Sequence, residues 1–143
     1  MNIGTLWRSA FQLGACEVFT IGRRYTRQAS DTCATERHVP LRHLLTWEIF
    51  EAQRPLGAQL VAIEMGGRPL ATFAHPERAV YLLGAEDHGL PPDVLARCQC
   101  VVSIESVRLE SYNVAVAGSL VMYHRLLTRN LRVQERPQQE GGE

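Results

Sequence analysis

Short apolar segments alternate along the chain with segments of helical character, and this alternation limits the possible fold more than any other feature. Strands are predicted over residues 17–21, 60–65, 79–83 and 101–104. The later strands are apolar on both faces, which is typical of strands covered by helices on both sides. The sequence therefore predicts an α/β fold with a mostly parallel sheet flanked by helices.

Helices are predicted over residues 5–13, 46–53, 91–97 and 113–131, and residues 23–45 are predicted to be mainly loop. Gly14 is the expected stop of the first helix and Thr46 the expected N-cap of the second. The last helix is apolar almost all round, so we expect both its own sheet and a second subunit to cover it, giving a homodimer. The domain is expected to span residues 1–131, followed by a polar, disordered tail over 132–143.

Arginine alone supplies the positive charge of the chain. All 15 basic residues are Arg, so chemistry that needs a lysine nucleophile, Schiff base or P-loop lysine is excluded. Residues 1–42 hold six Arg against three acidic residues. Because Arg23, Arg24 and Arg27 surround an aromatic residue, they are candidate RNA contacts. The alternative is an ordinary solvated loop.

Membrane insertion and metal binding have no support in the sequence. No apolar run reaches the roughly 18 residues of a membrane span, and no signal peptide is evident. The Cys98-x-Cys100 spacing is too short for a usual zinc site, and the histidines form no ligand pattern. We therefore expect no metal, free thiols and a cytoplasmic protein.

Three polar segments are placed where ligands gather in parallel sheets, at strand ends or helix starts. They cover residues 2–10, 83–90 and 104–113. The second segment is no P-loop, because Gly89 is followed by Leu90 and not by Lys. Each segment also has a structural explanation: Arg8 could simply solvate its own helix, Gly84 and Gly89 could shape a turn, and Ser111 could cap a helix.

Taken together, the three segments resemble the three motifs of the SpoU (TrmH-type) RNA 2′-O-ribose methyltransferases of the SPOUT superfamily. The quoted residues are Asn2-x-Gly4-x3-Arg8-x-Ala10-x3-Gly14-Ala15, then Leu83-Gly84-x-Glu86-x2-Gly89-Leu90, then Ile104 followed by Ser111-Tyr112-Asn113-Val114-Ala115-Val116-Ala117. The resemblance spans residues 2 to about 128 and implies a C-terminal trefoil knot.

The resemblance also implies S-adenosylmethionine as cofactor, held between the second and third motif loops. In that case Gly84 and Ile104 contribute backbone contacts, Ser111 and Tyr112 line the pocket, and Ile63 forms a further wall of the adenine site. No metal is required, because the sulfonium methyl group is already activated.

The resemblance assigns Arg8 as the catalytic residue, acting on the ribose 2′-hydroxyl of tRNA or rRNA from the partner subunit. Asn2, Glu86 and Asn113 match residues that support Arg8 and the substrate. A guanidinium normally keeps its proton. An Arg that binds phosphate and stabilises the developing alkoxide is therefore chemically easier than an Arg base, and both roles stay open.

Two departures from the family pattern are visible. The chain has Glu105 where the family usually has Pro, and Tyr112 where it usually has Leu or Met. In addition, Met1 directly precedes Asn2, where family members have a strand inside the sheet. We therefore expect this chain to lack that first strand and to be less stable than a version carrying it.

Two other functions compete with methyl transfer. One is an inactive or weakly active RNA-binding dimer that retains the knotted fold, which would bind no S-adenosylmethionine at millimolar concentration. The other is a generic α/β nucleotide-binding module, which would bind ATP but not the methyl donor.

Overall fold

The computed structural model describes residues 3–22, 38–85, 88–108 and 111–134. Within them the chain forms helices and parallel strands in alternation. The elements in chain order are α1 (Ile3–Leu13), β1 (Val18–Ile21), β2 (Leu41–Leu44), α2 (Trp47–Gln53), β3 (Gln59–Pro69), a 3-10 helix (Leu70–Thr72), β4 (Ala79–Leu83), α3 (Pro92–Ala96), β5 (Cys100–Ser103) and α4 (Val114–Gln134).

All described strand pairs are parallel, as predicted. β1 pairs with β2, while β3 lies between β4 and β5 in a three-stranded sheet. Ile63 of β3 is opposite Leu83 of β4 and Val102 of β5, and it is the last residue of β3 before the pairing with β4 stops and the register with β5 shifts. We call the edge of the sheet at this point its carboxyl edge.

The faces of β3 are both buried, which confirms the prediction of a sheet covered on two sides. Leu60 packs with Leu82, Phe50 and Val94 in one apolar cluster. The next residue, Val61, belongs to a different cluster together with Val121 of α4. Because successive side chains point to opposite faces of a strand, helices on both sides are needed to bury them.

Helix ends follow the predicted signals closely. Gly14 has φ of 83°, the left-handed conformation that favours glycine after a helix. The Thr46 hydroxyl accepts a hydrogen bond from Ile49 N, so Thr46 is the N-cap of α2 as expected. α4 begins one residue after the predicted start and ends at Gln134, beyond the predicted end at residue 131.

One prediction about the strands was wrong. Residues 23–45 were expected to be mainly loop, but residues 41–44 form β2, whose backbone pairs with β1 from Val18↔Leu41 to Ile21↔Leu44. Among the described residues, β1 and β2 form a parallel sheet of their own, separate from the sheet of β3, β4 and β5. Side-chain packing joins the two sheets, since Phe19 and Ile21 contact the cluster that contains Leu60 and Leu82.

β3 is also longer than the predicted strand, because it continues past residue 65 to Pro69. Its pairing with β5 shifts register between Ile63 and Arg68. At Gly67 a Cβ atom would lie 2.6 Å from the Val101 carbonyl oxygen, so only glycine permits this approach. No helix within the described ranges is long and apolar enough to cross a membrane.

Candidate functional site

The carboxyl edge of the three-stranded sheet brings together the strand-end residues that the sequence singled out. Ile63 pairs with Leu83, the residue before Gly84, and also with Val102, which lies two residues before Ile104. Ile63 is buried, whereas Gly84 and Ile104 are partly exposed. Backbone groups that follow three adjacent parallel strands therefore face one region, where ligands of open α/β sheets bind.

The loop that follows β4 closes on itself through its two glycines. Gly89 N donates a 2.9 Å hydrogen bond to the Ala85 carbonyl, and Gly89 has φ of 65°. A Cβ atom at Gly84 would lie 2.6 Å from the Gly89 Cα and from Leu90 N. Both glycines are thus required for the closed shape of this loop, in addition to any contact with a ligand.

Glu64 is a residue of the candidate site that the three sequence motifs do not include. Its Oε2 atom accepts a hydrogen bond from Leu90 N at 3.3 Å, and a side chain at Gly89 would overlap its carboxylate. The end of β3 is therefore tied directly to the loop after β4. The available signal was a carboxylate that ends an otherwise apolar strand at a carboxyl edge.

The segment before α4 approaches the same edge. The Ser111 hydroxyl lies 3.6 Å from the Met65 sulfur, two residues beyond Ile63. The Tyr112 hydroxyl donates a 2.5 Å hydrogen bond to the Glu105 carbonyl. Ser111 is thus placed beside the end of β3, and Tyr112 lies across the loop that follows β5.

Asn113 caps α4. Its Oδ1 atom accepts hydrogen bonds from Ala115 N at 2.9 Å and from Val116 N at 3.4 Å. These are two of the backbone donors that an α-helix leaves without partners at its start. The supporting role that the family resemblance implies for Asn113 stays a prediction beside this structural role.

α1 packs against α4 close to the end of β4. A side chain at Gly118 would overlap Leu6 and would lie 3.1 Å from the Leu83 side chain, and Ser119 Oγ donates to Ser9 Oγ at 3.0 Å. The first motif is thereby brought beside the start of α4 and the residue that precedes Gly84. Arg8 lies on this helix with an exposed side chain.

Several predicted residues lie outside the part of the chain that the structure describes. They are Asn2, Glu86, Arg23, Arg24 and Arg27. Arg42, in β2 beyond this basic stretch, forms a 3.0 Å ion pair with Glu17 and a hydrogen bond with Gln53. Arg42 is thus paired within the protein.

Candidate metal ligands, cysteines and a cavity are the other features relevant to binding in the described ranges. No group of three or more His, Cys, Asp or Glu residues in the described ranges could hold a metal ion. Cys16, Cys98 and Cys100 are free thiols. A cavity of about 350 Å³ lies beside the first residues of β3 and β5, and no predicted site residue lines it.

Several kinds of chemical group lie close together at the carboxyl edge. They are the apolar side chain of Ile63, the hydroxyl group of Ser111 and the carboxylate of Glu64, beside the backbone groups at the strand ends. Such a mixture of apolar walls with a few oriented polar groups is typical of cofactor sites.

Comparison with solved structures finds the same fold in RNA-modifying enzymes. An AdoMet-bound rRNA methyltransferase from Sinorhizobium meliloti is 26% identical, with a TM-score of 0.71 over 91% of this chain and 52% of that chain. A structure concerning 2-OH methylation of C/U34 on tRNA is 30% identical, with a TM-score of 0.70 over 89% and 83% of the two chains.

The A. aeolicus TrmH/SpoU tRNA modifying enzyme is 17% identical and has a TM-score of 0.78, covering 98% of this chain and 75% of that chain. At this identity the likeness shows the fold alone. The chain spans about half the length of the S. meliloti enzyme. Comparison with curated protein sequences gives no match.

The family is shown by the sequence as a whole. The sequence model of the SpoU rRNA Methylase family matches residues 1–123 of the 143 residues, including all three motifs. The 30% identity to the tRNA 2-OH methylation structure over 89% of the chain agrees with this assignment. The chain belongs to the SpoU rRNA methylase family.

Proposed function

We propose that the protein is an S-adenosylmethionine-dependent methyltransferase that modifies a ribose 2′-hydroxyl of tRNA or rRNA. The observation that carries the proposal is the meeting of the strand-end residues Ile63, Gly84 and Ile104 with Ser111 at one sheet edge. Two of the similar structures support the donor and the class of substrate: one contains AdoMet, and one concerns 2-OH methylation of tRNA.

The cofactor is proposed to bind between the Gly84–Leu90 loop and the segment from Ile104 to Tyr112. When bound, it supplies an electrophilic methyl group on a sulfonium. Ile63 and the Tyr112 ring would hold its apolar part, and Gly84, Ile104 and Ser111 would offer hydrogen bonds to its polar part. The Glu64 carboxylate favours a positively charged ligand at this edge.

Arg8 is the proposed catalytic residue, with Asn2, Glu86 and Asn113 supporting it and the substrate. In the transfer, the methyl carbon would pass from the sulfonium sulfur to the ribose 2′-oxygen, S-adenosylhomocysteine would leave, and the hydroxyl proton would pass to water. An arginine held at the adjacent phosphate stabilises the negative charge that develops on this oxygen. Alignment of the oxygen with the methyl carbon accounts for much of the remaining rate gain.

RNA is proposed to contact the basic segment that contains Arg23, Arg24 and Arg27. Arginine binds phosphate by two parallel hydrogen bonds, so the absence of lysine is no obstacle. RNA substrates and free thiols both suit a cytoplasmic location.

The active form is proposed to be a homodimer built on the outer face of α4. Val116, Leu120, Tyr123 and Leu127 follow helical spacing along one face, and between 37% and 55% of each residue is exposed. An apolar stripe of this length on a helix is typical of a subunit interface. A dimer would let Arg8 of one subunit serve the cofactor site of the other.

The test is methyl transfer to RNA followed by mapping of the modified position. We expect the wild-type protein to bind S-adenosylmethionine in calorimetry and to form 2′-O-methylated nucleotides. We expect Arg8→Ala to abolish transfer while cofactor affinity stays within about twofold of wild type.

Arg54→Ala is the matched control, because Arg54 lies away from the candidate site and its contact within the described residues is an ion pair with Glu51 at 3.7 Å. Its activity should equal that of the wild type. Methylation of a base instead of ribose would refute the proposed reaction. Absence of cofactor binding by the wild type would favour the inactive RNA-binding dimer.

A further inference from the structure

Glu105 links two segments that approach the proposed cofactor site from different sides. Its Oε1 atom accepts a 2.8 Å hydrogen bond from Ala71 N, in the 3-10 helix after β3. Its carbonyl oxygen accepts the 2.5 Å hydrogen bond from the Tyr112 hydroxyl, just before the cap of α4. Glu105 therefore joins the loop after β5 both to the 3-10 helix that follows β3 and to the start of α4.

The hydrogen bond from Tyr112 to Glu105 closes the loop that begins after β5. Glu105 and Tyr112 are seven residues apart along the chain. Near the start of this span, the Ser106 hydroxyl donates to the Arg108 carbonyl at 2.6 Å and accepts from Arg108 N at 3.3 Å, which forms a local turn. The side chain of Tyr112 thus spans the base of the loop.

We call the hydrogen-bonded pair Glu105 and Tyr112 the clamp. Each of its two residues directly follows a proposed cofactor residue. Ile104 directly precedes Glu105, and Ser111 directly precedes Tyr112. Fixing Glu105 to Tyr112 therefore fixes how far Ile104 lies from Ser111, whose hydroxyl contacts the Met65 sulfur at 3.6 Å. A loop held in its binding shape before the ligand arrives loses less conformational entropy on binding.

We propose that Glu105 and Tyr112 are positioning residues that hold Ile104 and Ser111 in their cofactor-binding positions. The inference rests on the proposed function, because it concerns the same cofactor site. Neither hydrogen bond needs to touch the cofactor: the Tyr112 hydroxyl acts through the Glu105 carbonyl, and the Glu105 carboxylate acts through Ala71. The two residues that depart from the family pattern are thus partners of each other.

The first experiment is Tyr112→Phe, which keeps the ring and removes only the hydroxyl. We expect the dissociation constant for S-adenosylmethionine in calorimetry, and its KM in the methylation assay, to rise about three- to tenfold, the range for loss of one hydrogen bond. The kcat at saturating cofactor should stay within about twofold. Hydrogen exchange of backbone amides over residues 104–113 should become faster.

The second experiment compares Glu105→Ala with Glu105→Gln. The amide of Gln retains an oxygen that can accept from Ala71 N, so Gln should preserve most cofactor affinity while Ala loses it about three- to tenfold. Glu77→Ala is the matched control, because the Glu77 side chain is exposed and its carbonyl contact with Arg125 remains.

Faster exchange in Tyr112→Phe with unchanged cofactor affinity would overturn the positioning role. A fall in kcat with unchanged KM would also overturn it, since the clamp would then act in the chemical step. If the wild-type protein itself binds no S-adenosylmethionine, the proposed function fails and this inference fails with it. Failure of the proposed function is distinguishable from failure of this inference alone, because it is seen with the wild-type protein before any variant is made.

Discussion

Glu64 and Leu90 are joined across two strands by a hydrogen bond from Leu90 N to the Glu64 carboxylate at 3.3 Å. The donor belongs to the loop after β4, and the acceptor lies in β3 directly after Ile63. Because the same carboxylate lies against Gly89, the shape of the loop depends on a side chain from the neighbouring strand.

Replacement of Glu64 should therefore weaken cofactor binding. We expect Glu64→Ala to raise the dissociation constant for S-adenosylmethionine by about tenfold, since the loop loses a hydrogen bond to a charged group. Glu64→Gln keeps an acceptor oxygen and should lose about threefold or less. Calorimetry measures both dissociation constants. Equal losses of affinity in the two variants would show that the charge of Glu64, and not its hydrogen bond to Leu90, supports cofactor binding.

The second prediction concerns the contact between Gly84 and Gly89. In Gly84→Ala the new Cβ would lie 2.6 Å from two backbone atoms, Gly89 Cα and Leu90 N, so the loop has to open. We expect the free energy of unfolding to fall by about 1–3 kcal/mol and cofactor binding to be lost. Urea unfolding and calorimetry are the measurements.

Gly57→Ala is the control for this variant. A Cβ at Gly57 meets nothing within 4 Å, but φ of 76° makes alanine strained there. The control should therefore lose about 1–2 kcal/mol of stability and keep full cofactor affinity. If both variants lose affinity alike, global destabilisation explains the effect and the specific role of Gly84 is refuted.

The strands of the three-stranded sheet were predictable because each is a short apolar run, and such runs are typical of buried strands. The prediction for β4 matches the structure at both ends, Ala79–Leu83. β2 escaped prediction, since Leu41, Arg42, His43 and Leu44 give no apolar run. It forms because its backbone pairs with β1 and because Arg42 is paired with Glu17, which is tertiary information.

The candidate site divides in the same way between local and long-range information. Gly84, Ile104 and Ser111 could be named as candidates from the sequence because they belong to motifs of fixed local spacing. The contacts of Glu64 and Glu105 could not be predicted, since their partners Leu90 and Ala71 are 26 and 34 residues away along the chain. Local patterns do not encode such contacts, which depend on how distant segments pack together.

The third prediction tests the proposed dimer. Leu120→Glu places a charge in the middle of the outer face of α4, where 37% of Leu120 is exposed. A buried unpaired charge is costly, so we expect the mass in sedimentation or light scattering to fall from that of a dimer to that of a monomer. Methyl transfer should fall with it.

Leu56→Glu is the matched control, because 91% of Leu56 is exposed and it lies in the turn between α2 and β3. It should not change the mass. A wild-type protein that is monomeric at micromolar concentration, or a Leu120→Glu variant that remains dimeric, would contradict an interface on α4.

The fourth prediction concerns alkaline stability and depends on Tyr81. Its hydroxyl hydrogen-bonds His75 Nδ1 at 2.7 Å and accepts from Arg125 at 3.1 Å. Burial raises the pKa of Tyr81 above its ordinary value, although the charge and hydrogen bond of Arg125 act in the opposite direction. The protonated hydroxyl is therefore favoured more in the folded protein than in the unfolded chain.

The raised pKa fixes the sign of the pH dependence. Below about pH 10, the ordinary pKa of tyrosine, this contribution to stability is fully present. As the pH rises above 10 towards the folded-state pKa, the unfolded chain loses its proton first, so the wild type should lose stability. Tyr81→Phe should be less stable near neutral pH by about 1 kcal/mol, for the lost hydrogen bonds, but should decline less steeply above pH 10. Urea unfolding of both proteins from pH 8 to 11 measures this difference, and two parallel stability curves would show that Tyr81 does not titrate with folding.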